Sequence, residues 1–146
     1  RVARAGSVQV TDTMFIERYS HVMHLVSNIV CDMKPGLDAF DLLKATFPAG
    51  TLSGAPKIRA MEILASLEST PRGAYGGAAG YISFSGNMDL AIIIRTAVMA
   101  GEKLTVQAGA GIVYDSDPRK ELAECLSKAG SVEAALKLAA GNNGGA

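Results

Sequence analysis

Three ionisable side chains near the C-terminal end have a spacing that suits metal or anion chemistry: Glu121, Glu124 and Lys128. On a helix they fall along one face, because residues three and four apart are surface neighbours. Two carboxylates one turn apart can hold a hard cation such as Mg²⁺, which takes a few carboxylates plus water and the oxygens of a substrate. The same spacing equally serves a solvated face, with Glu124–Lys128 a surface pair worth roughly 0.3–0.5 kcal/mol. Arg95 interrupts the apolar run Ile92-Ile93-Ile94-Arg95-Thr96-Ala97-Val98. A guanidinium expected to be buried there is costly unless a carboxylate or phosphate meets it. No acidic residue is close in sequence, so its partner is either a distant Asp or Glu or a ligand anion, and a carboxylate would suit its forked geometry.

The remaining candidates each admit two readings. His24 lies in a strand-like stretch among apolar neighbours. It is either a hydrogen-bonded structural histidine or an acid/base with near-neutral titration. Tyr75, framed in Ala74-Tyr75-Gly76-Gly77, is either open to a ligand or part of a tight turn. Gly109 and Gly111 either bare backbone N–H groups to an anion or mark bulges. No glycine pattern fits a P-loop or a dinucleotide fingerprint.

The elements that must carry these residues are read from periodicity. Ser7 to Arg18 and Val22 to Val30 read as two strands, ended by Pro35-Gly36. Leu37 to Ala45 has helical spacing. Pro48 to Ala55 reads as a loop. It leads through Ser53 or Gly54 as cap, with Pro56 in the first turn, into a helix to about Leu67. That helix is expected to turn Ile58, Met61, Ile63, Leu64 and Leu67 inward. Next come a strand Tyr81 to Phe84, a turn at Ser85-Gly86-Asn87, an apolar strand Leu90 to Met99, and a strand Leu104 to Gln107. Asp117 caps a last helix with Pro118 at its first position. Leu122, Cys125, Leu126 and Ala129 form its expected packing face, and a pause is expected at Gly130, with Ser131 recapping. Strands, helices, strands, then a helix predict an α+β (α/β) fold, with a mixed, largely antiparallel sheet and flanking helices.

Composition excludes several function classes. The 146 residues carry 14 basic and 14 acidic side chains, so nothing draws the chain to nucleic acid or an anionic membrane. The apolar run from Leu90 to Ala100 is too short to span a bilayer and contains Arg95. No signal-peptide pattern opens the sequence. Cys31 and Cys125 are far apart and outside any metal spacing, and so read as reduced, buried thiols. A cytoplasmic protein is the expectation. Hydrophobic residues make up 49%, which fits one compact domain over residues 1–140 or a surface meant for a partner. Residues 141–146 read as a flexible tail or linker. Position 1 is Arg rather than Met, and the opening residues read as part of a longer chain.

Six stretches in order carry a resemblance. They are Ser20-His21-Val22-Met23-His24-Leu25-Val26-Ser27, Phe47-Pro48-Ala49-Gly50-Thr51-Leu52-Ser53-Gly54-Ala55-Pro56-Lys57, Tyr75-Gly76-Gly77, Gly86-Asn87-Met88-Asp89, Ile94-Arg95-Thr96, and Gln107 through Val113 leading to Asp115-Ser116-Asp117-Pro118. Together they resemble the chorismate-binding domain shared by anthranilate, aminodeoxychorismate, isochorismate and salicylate synthases, from Arg1 to about Ala139. Ala49 to Gly54 and Tyr75-Gly76-Gly77 look like the anthranilate synthase version.

The resemblance implies that Glu124, with Glu121, holds a Mg²⁺ on the ring carboxylate of chorismate, with Lys128 beside it. It implies that Arg95 and Tyr75, helped by Gly109 and Gly111, anchor the enolpyruvyl carboxylate. His24 would lie near the departing ring hydroxyl, and Thr51 would line the ring pocket. Ammonia would come from a glutamine amidotransferase subunit or fused domain. In the family an acidic helix upstream supplies further metal carboxylates. The chain begins just after it, so little activity is expected from these residues alone, and self-association is expected. The alternatives are a sister enzyme making aminodeoxychorismate or aminodeoxyisochorismate, and a non-catalytic, self-associating module.

Overall fold

The computed structural model describes residues 1–18 and 23–141. The Ser20-His21-Val22 part of the first motif, the expected start of the second strand at Val22, and residues 142–146 of the expected tail lie outside them. The chain forms two compact units rather than one: Arg1–Phe47 with Ile82–Met88, and Pro48–Tyr81 with the chain from Asp89 onward. Three two-stranded sheets and four helices are described, an α+β architecture.

In the first unit, β1 (Gln9–Arg18) pairs antiparallel with β2 (Met23–Val30). The register shifts twice between Val10 and Phe15, and Met14 takes a positive φ of 46°. The Met14 N–H donates to Ser27 Oγ at 3.0 Å, so a side chain replaces a ladder bond at the bulge. Beyond β2 the ladder continues as Arg4 N–H to Asp32 O and Lys34 N–H to Val2 O, both 2.9 Å, with an Arg4–Asp32 ion pair alongside. Pro35-Gly36 then turns the chain, Gly36 having φ 82°.

Helix α1 (Ala39–Thr46) begins two residues later than its hydrophobic spacing suggests, because Asp38 caps it. Asp38 Oδ1 accepts from the N–H groups of Phe40 and Asp41, and Asp41 Oδ2 accepts from the Asp38 N–H, a complete capping box.

The second unit departs from the sequence reading in several places. The expected loop at Pro48–Ala55 contains a short helix, α2 (Gly50–Ser53). Pro56 sits at the N-cap of α3 (Lys57–Leu67) rather than in its first turn, and no side chain caps that helix. Its half-buried face is Lys57, Ala60 and Leu64, while Ile58 and Leu67 are 77% and 75% exposed and Met61 and Ile63 are also exposed.

The strand expected at Tyr81–Phe84 is β3 (Ala78–Ile82), and Phe84 stands in the turn. It pairs with β4 (Met88–Ile92) around a turn closed by Ser83 N–H to Asn87 O at 2.8 Å. The expected strand Leu90–Met99 is broken. The chain bends after β4 and resumes as β5 (Ala97–Ala100), antiparallel to β6 (Lys103–Val106).

Helix α4 (Pro118–Gly141) is continuous through Gly130, so the expected pause and the expected start of the tail at Gly141 are both corrected. Ser131 Oγ donates back to the Lys128 carbonyl at 2.8 Å, a mid-helix bond rather than a cap. Asp117 caps it as expected, Oδ1 accepting from Arg119 and Lys120 N–H at 2.8 and 3.1 Å. The half-buried face includes Glu121, Cys125, Lys128, Ala129 and Val132, so Cys125 and Ala129 lie as expected while Leu122 and Leu126 are exposed. Cys31 is exposed and Cys125 half-buried, both free.

Among the described residues no hydrophobic side chain is fully buried, and Ser53 is the only buried polar one. No described helix is long and apolar enough to cross a membrane.

Two glycines test this fold in opposite directions. A Cβ on Gly80 would lie 1.9 Å from the Asp89 carbonyl oxygen across the β3–β4 pair, whereas one on Gly130 meets nothing within 4 Å. Gly80→Ala is expected to lower unfolding stability by about 2 kcal/mol or more. Gly130→Ala is expected to raise it by about 0.5–1 kcal/mol. Urea unfolding followed by circular dichroism measures both.

Candidate functional site

The second unit contains a cavity of about 110 Å³. Six residues singled out in the sequence line it: Thr51, Tyr75, Arg95, Gly109, Gly111 and Lys128. Leu52, Ile94, Gln107 and Ala108 complete the wall, none of them singled out beforehand as a site residue. Five separate segments meet here: α2, the Ala74–Gly77 turn, the bend between β4 and β5, the stretch between β6 and α4, and α4 itself.

Each segment is fixed locally. Lys57 Nζ donates to the Pro48 carbonyl at 2.6 Å, closing the chain around α2. Gly54, at φ 87°, ends α2 in a conformation that disfavours a side chain, and a Cβ there would press on Ala60 at 2.9 Å. The Tyr75 turn is tied to the bend by Gly76 N–H to Ile93 O and Ile93 N–H to Gly77 O, at 2.8 and 2.9 Å. Arg95 has φ 51°, which costs a non-glycine residue about 1–3 kcal/mol. The expectation that Arg95 lies buried within a continuous strand is therefore corrected: it is half-buried, on a bend, and lines the cavity.

Gly109 is held from two sides. Its carbonyl accepts from Lys128 Nζ at 3.2 Å, and a Cβ there would stand 3.0 Å from the Tyr75 hydroxyl oxygen. Lys128 also pairs with Glu124 Oε1 at 2.5 Å. Among the described residues the cavity wall thus carries two cationic side chains, a phenol, a threonine hydroxyl and the Gln107 amide, and no carboxylate side chain. That arrangement suits a small anion.

Glu121 is half-buried and Glu124 exposed, and neither lines the cavity; Glu124 reaches it only through Lys128. Among the described residues no three His, Cys, Asp or Glu side chains converge to hold a metal ion. The Glu121/Glu124 pair therefore fits a Mg²⁺ that keeps waters and takes oxygens from a bound anion, and does not fit a cation held by protein groups alone. His24 lies on β2 in the first unit, half-buried and opposite Glu17 in the ladder.

Arg72 was not singled out by sequence reading. Its guanidinium donates from Nε and Nη2 to the two carboxylate oxygens of Glu68 at 2.7 and 2.6 Å, and from Nη1 to the Leu52 carbonyl at 2.7 Å. Its Cζ also stands 5.7 Å from the centre of the Tyr75 ring. The hydrogen bond from Arg72 holds the Glu68 carboxyl below its usual range despite some desolvation, and Glu68 in turn raises Arg72. The i, i+4 spacing of the pair was the available signal.

Residues 1–134 match the chorismate binding enzyme family, and the chain belongs to that family. It is 59% identical over 139 residues to anthranilate synthase component 1 of Aquifex aeolicus, covering 95% of this chain and 28% of that protein. It is 53% identical to the protein of the same name from Methanothermobacter thermautotrophicus, covering 95% and 30%. The crystal structure of anthranilate synthase component I from Streptococcus pneumoniae superposes with a TM-score of 0.86 at 52% identity, over 90% of this chain and 30% of that one. A putative 2,3-dihydroxybenzoate-specific isochorismate synthase from Bacillus anthracis superposes with a TM-score of 0.84 at 25% identity, over 94% and 36%. The chain spans less than a third of the length of the curated relatives quoted.

The Glu68–Arg72 pair gives a pH prediction. A carboxyl whose folded pKa is lowered adds stability above its unfolded value of 4.5, and that stability is lost as pH falls through the lowered value. On acidification below about pH 4.5 the melting temperature of the native chain is expected to fall more steeply than that of Glu68→Gln. Thermal melts between about pH 2 and 7 would show parallel curves if the pair contributes nothing.

Proposed function

We propose that this chain is the part of an anthranilate synthase that grips chorismate, with the cavity of the second unit as its anion site. The observation that carries this reading is the convergence of Arg95, Lys128 and Tyr75 on one cavity. Chorismate is a dianion with carboxylates at opposite ends. Arg95, with a planar fork, suits the enolpyruvyl carboxylate, and the Tyr75 hydroxyl adds a donor. Lys128 stands at the ring-carboxylate side of the substrate.

Glu121 and Glu124 would hold Mg²⁺, which when bound supplies positive charge to that ring carboxylate. The high identity to proteins named anthranilate synthase component 1 supports this reaction over that of the sister enzymes. Ammonia adds at ring C2 and the C4 hydroxyl departs as water. Loss of the enolpyruvyl group as pyruvate then gives anthranilate. Thr51 would line the ring. A glutamine amidotransferase, as subunit or fused domain, would supply the ammonia in the cytoplasm. Fixed cations around the substrate lower the cost of charge that develops as these bonds break.

One further feature supports self-association of the 146-residue chain. Leu25, Ile58, Leu122, Leu126 and Leu138 are each 60% exposed or more. A two-stranded ladder such as β1–β2 is marginal by itself, and Leu122 and Leu126, one turn apart on α4, form an exposed apolar strip that a second copy can cover. Light scattering is expected to show species larger than one chain, and a monomer at about 0.1 mM would count against it.

Calorimetric titration with chorismate, with and without Mg²⁺, tests the site. Arg95→Ala is expected to weaken binding by about tenfold or more under both conditions. Glu124→Gln is expected to remove the gain that Mg²⁺ brings and to change metal-free binding less than about threefold. Unchanged affinity in Arg95→Ala would sink the reading.

A further inference from the structure

We infer that Arg72 is a positioning residue, which holds the Tyr75 ring in place against Gly109 at the cavity wall. The inference rests on the anion-site reading above for its functional consequence, but not for its geometry. Arg72 does not line the cavity; it stands behind it, where a second cavity is lined by Arg72, Gly73, Tyr75, Ile93 and Gln107 among others. Tyr75 and Gln107 line both cavities and so form the partition between them.

A phenol that borders two cavities has fewer packed neighbours to fix it than one in a solid core. Its hydroxyl is nevertheless placed closely, 3.0 Å from the Cβ position of Gly109. The guanidinium over the ring supplies the missing constraint on the far side, attracted to the negative ring face.

Arg72 can do this because it is itself immobilised. Both Glu68 oxygens and the Leu52 carbonyl take its N–H groups, and its side chain is 28% exposed. A planar fork bound on its edge leaves its flat face for the ring, which a lysine could not reproduce. The Leu52 bond also links this anchor to α2, whose Leu52 Cδ1 lies 3.5 Å from the Cβ position of Gly76. One side chain thus sets both the α2 wall and the Tyr75 wall.

The test has a geometric arm and a binding arm. A nuclear Overhauser contact between the Tyr75 ring protons and Gly109 Hα is expected in the native chain and lost in Arg72→Ala, with helix content by circular dichroism retained. Persistence of that contact in Arg72→Ala overturns the inference. In the second arm, chorismate with Mg²⁺ is titrated into four proteins: native, Arg72→Ala, Tyr75→Leu and the double variant. Arg72→Ala is expected to weaken binding about tenfold in the native background and less than about twofold beside Tyr75→Leu. An equal loss in both backgrounds means that Arg72 acts elsewhere, and overturns it. Absence of chorismate binding by the native chain defeats the anion-site reading alone, and the ring contact then decides the role of Arg72. Should Arg72→Ala fail to fold, Glu68→Gln removes one anchor and is expected to weaken the ring contact; an undiminished contact there overturns the inference.

Discussion

The cavity depends on one crowded point, the approach of the Tyr75 hydroxyl to Gly109. A side chain at Gly109 would meet that oxygen at 3.0 Å, tighter than a comfortable carbon–oxygen contact, while Lys128 draws the Gly109 carbonyl from α4. Glycine is therefore required less for backbone freedom than for room. The stretch from β6 to α4 can lie against the phenol only if nothing projects from it. Once it does, helix α4 delivers an ammonium, the Tyr75 turn delivers a hydroxyl, and both reach one small space.

The bend at Arg95 solves a second problem. A straight strand from Leu90 to Met99 would alternate its side chains between two faces, fixing the orientation of residue 95 by register alone. Breaking the strand frees that orientation at the cost of a positive φ on a bulky residue. Strain of this kind persists where the surroundings over-determine it. Here the Gly76–Ile93 and Ile93–Gly77 hydrogen bonds pin the chain just before the bend, and the Thr96 hydroxyl donates to the Ile94 carbonyl just across it.

What could be read in the sequence was local, and what could not was long-range. Asp117-Pro118 announced the start of α4 because a cap is a contact between near neighbours. The β1–β2 ladder showed in its β-rich pattern. The Asp38 capping box was equally local, but its N3 residue is Asp rather than the usual Glu or Gln, and the apolar spacing from Leu37 masked it. Helix α2 was hidden by its own glycines and serine, and it is held from afar by Lys57 and Arg72. The bend at Arg95 carries no Gly or Pro to announce it. The apolar faces of α3 and α4 were legible only in part, at Leu64, Cys125 and Ala129, because periodicity gives a stripe without saying what it meets. Tyr75, Arg95, Gly109 and Lys128 were each visible as candidates. Their convergence was not, since it arises from four segments that lie between Tyr75 and Lys128 with other elements interposed.

The Glu124–Lys128 pair shows how a weak interaction can still matter. Its side chains are 51% and 32% exposed, so its Coulomb energy is largely screened and adds little to stability. Its effect is directional. A lysine on a helix surface samples many rotamers, and a carboxylate one turn earlier, at 2.5 Å, together with the Gly109 carbonyl at 3.2 Å, selects the one that faces the cavity. The same carboxylate also lowers the positive potential that Lys128 presents there. Arg95 differs in being set on another segment by a constrained backbone, so the two cationic groups reach the cavity by independent routes.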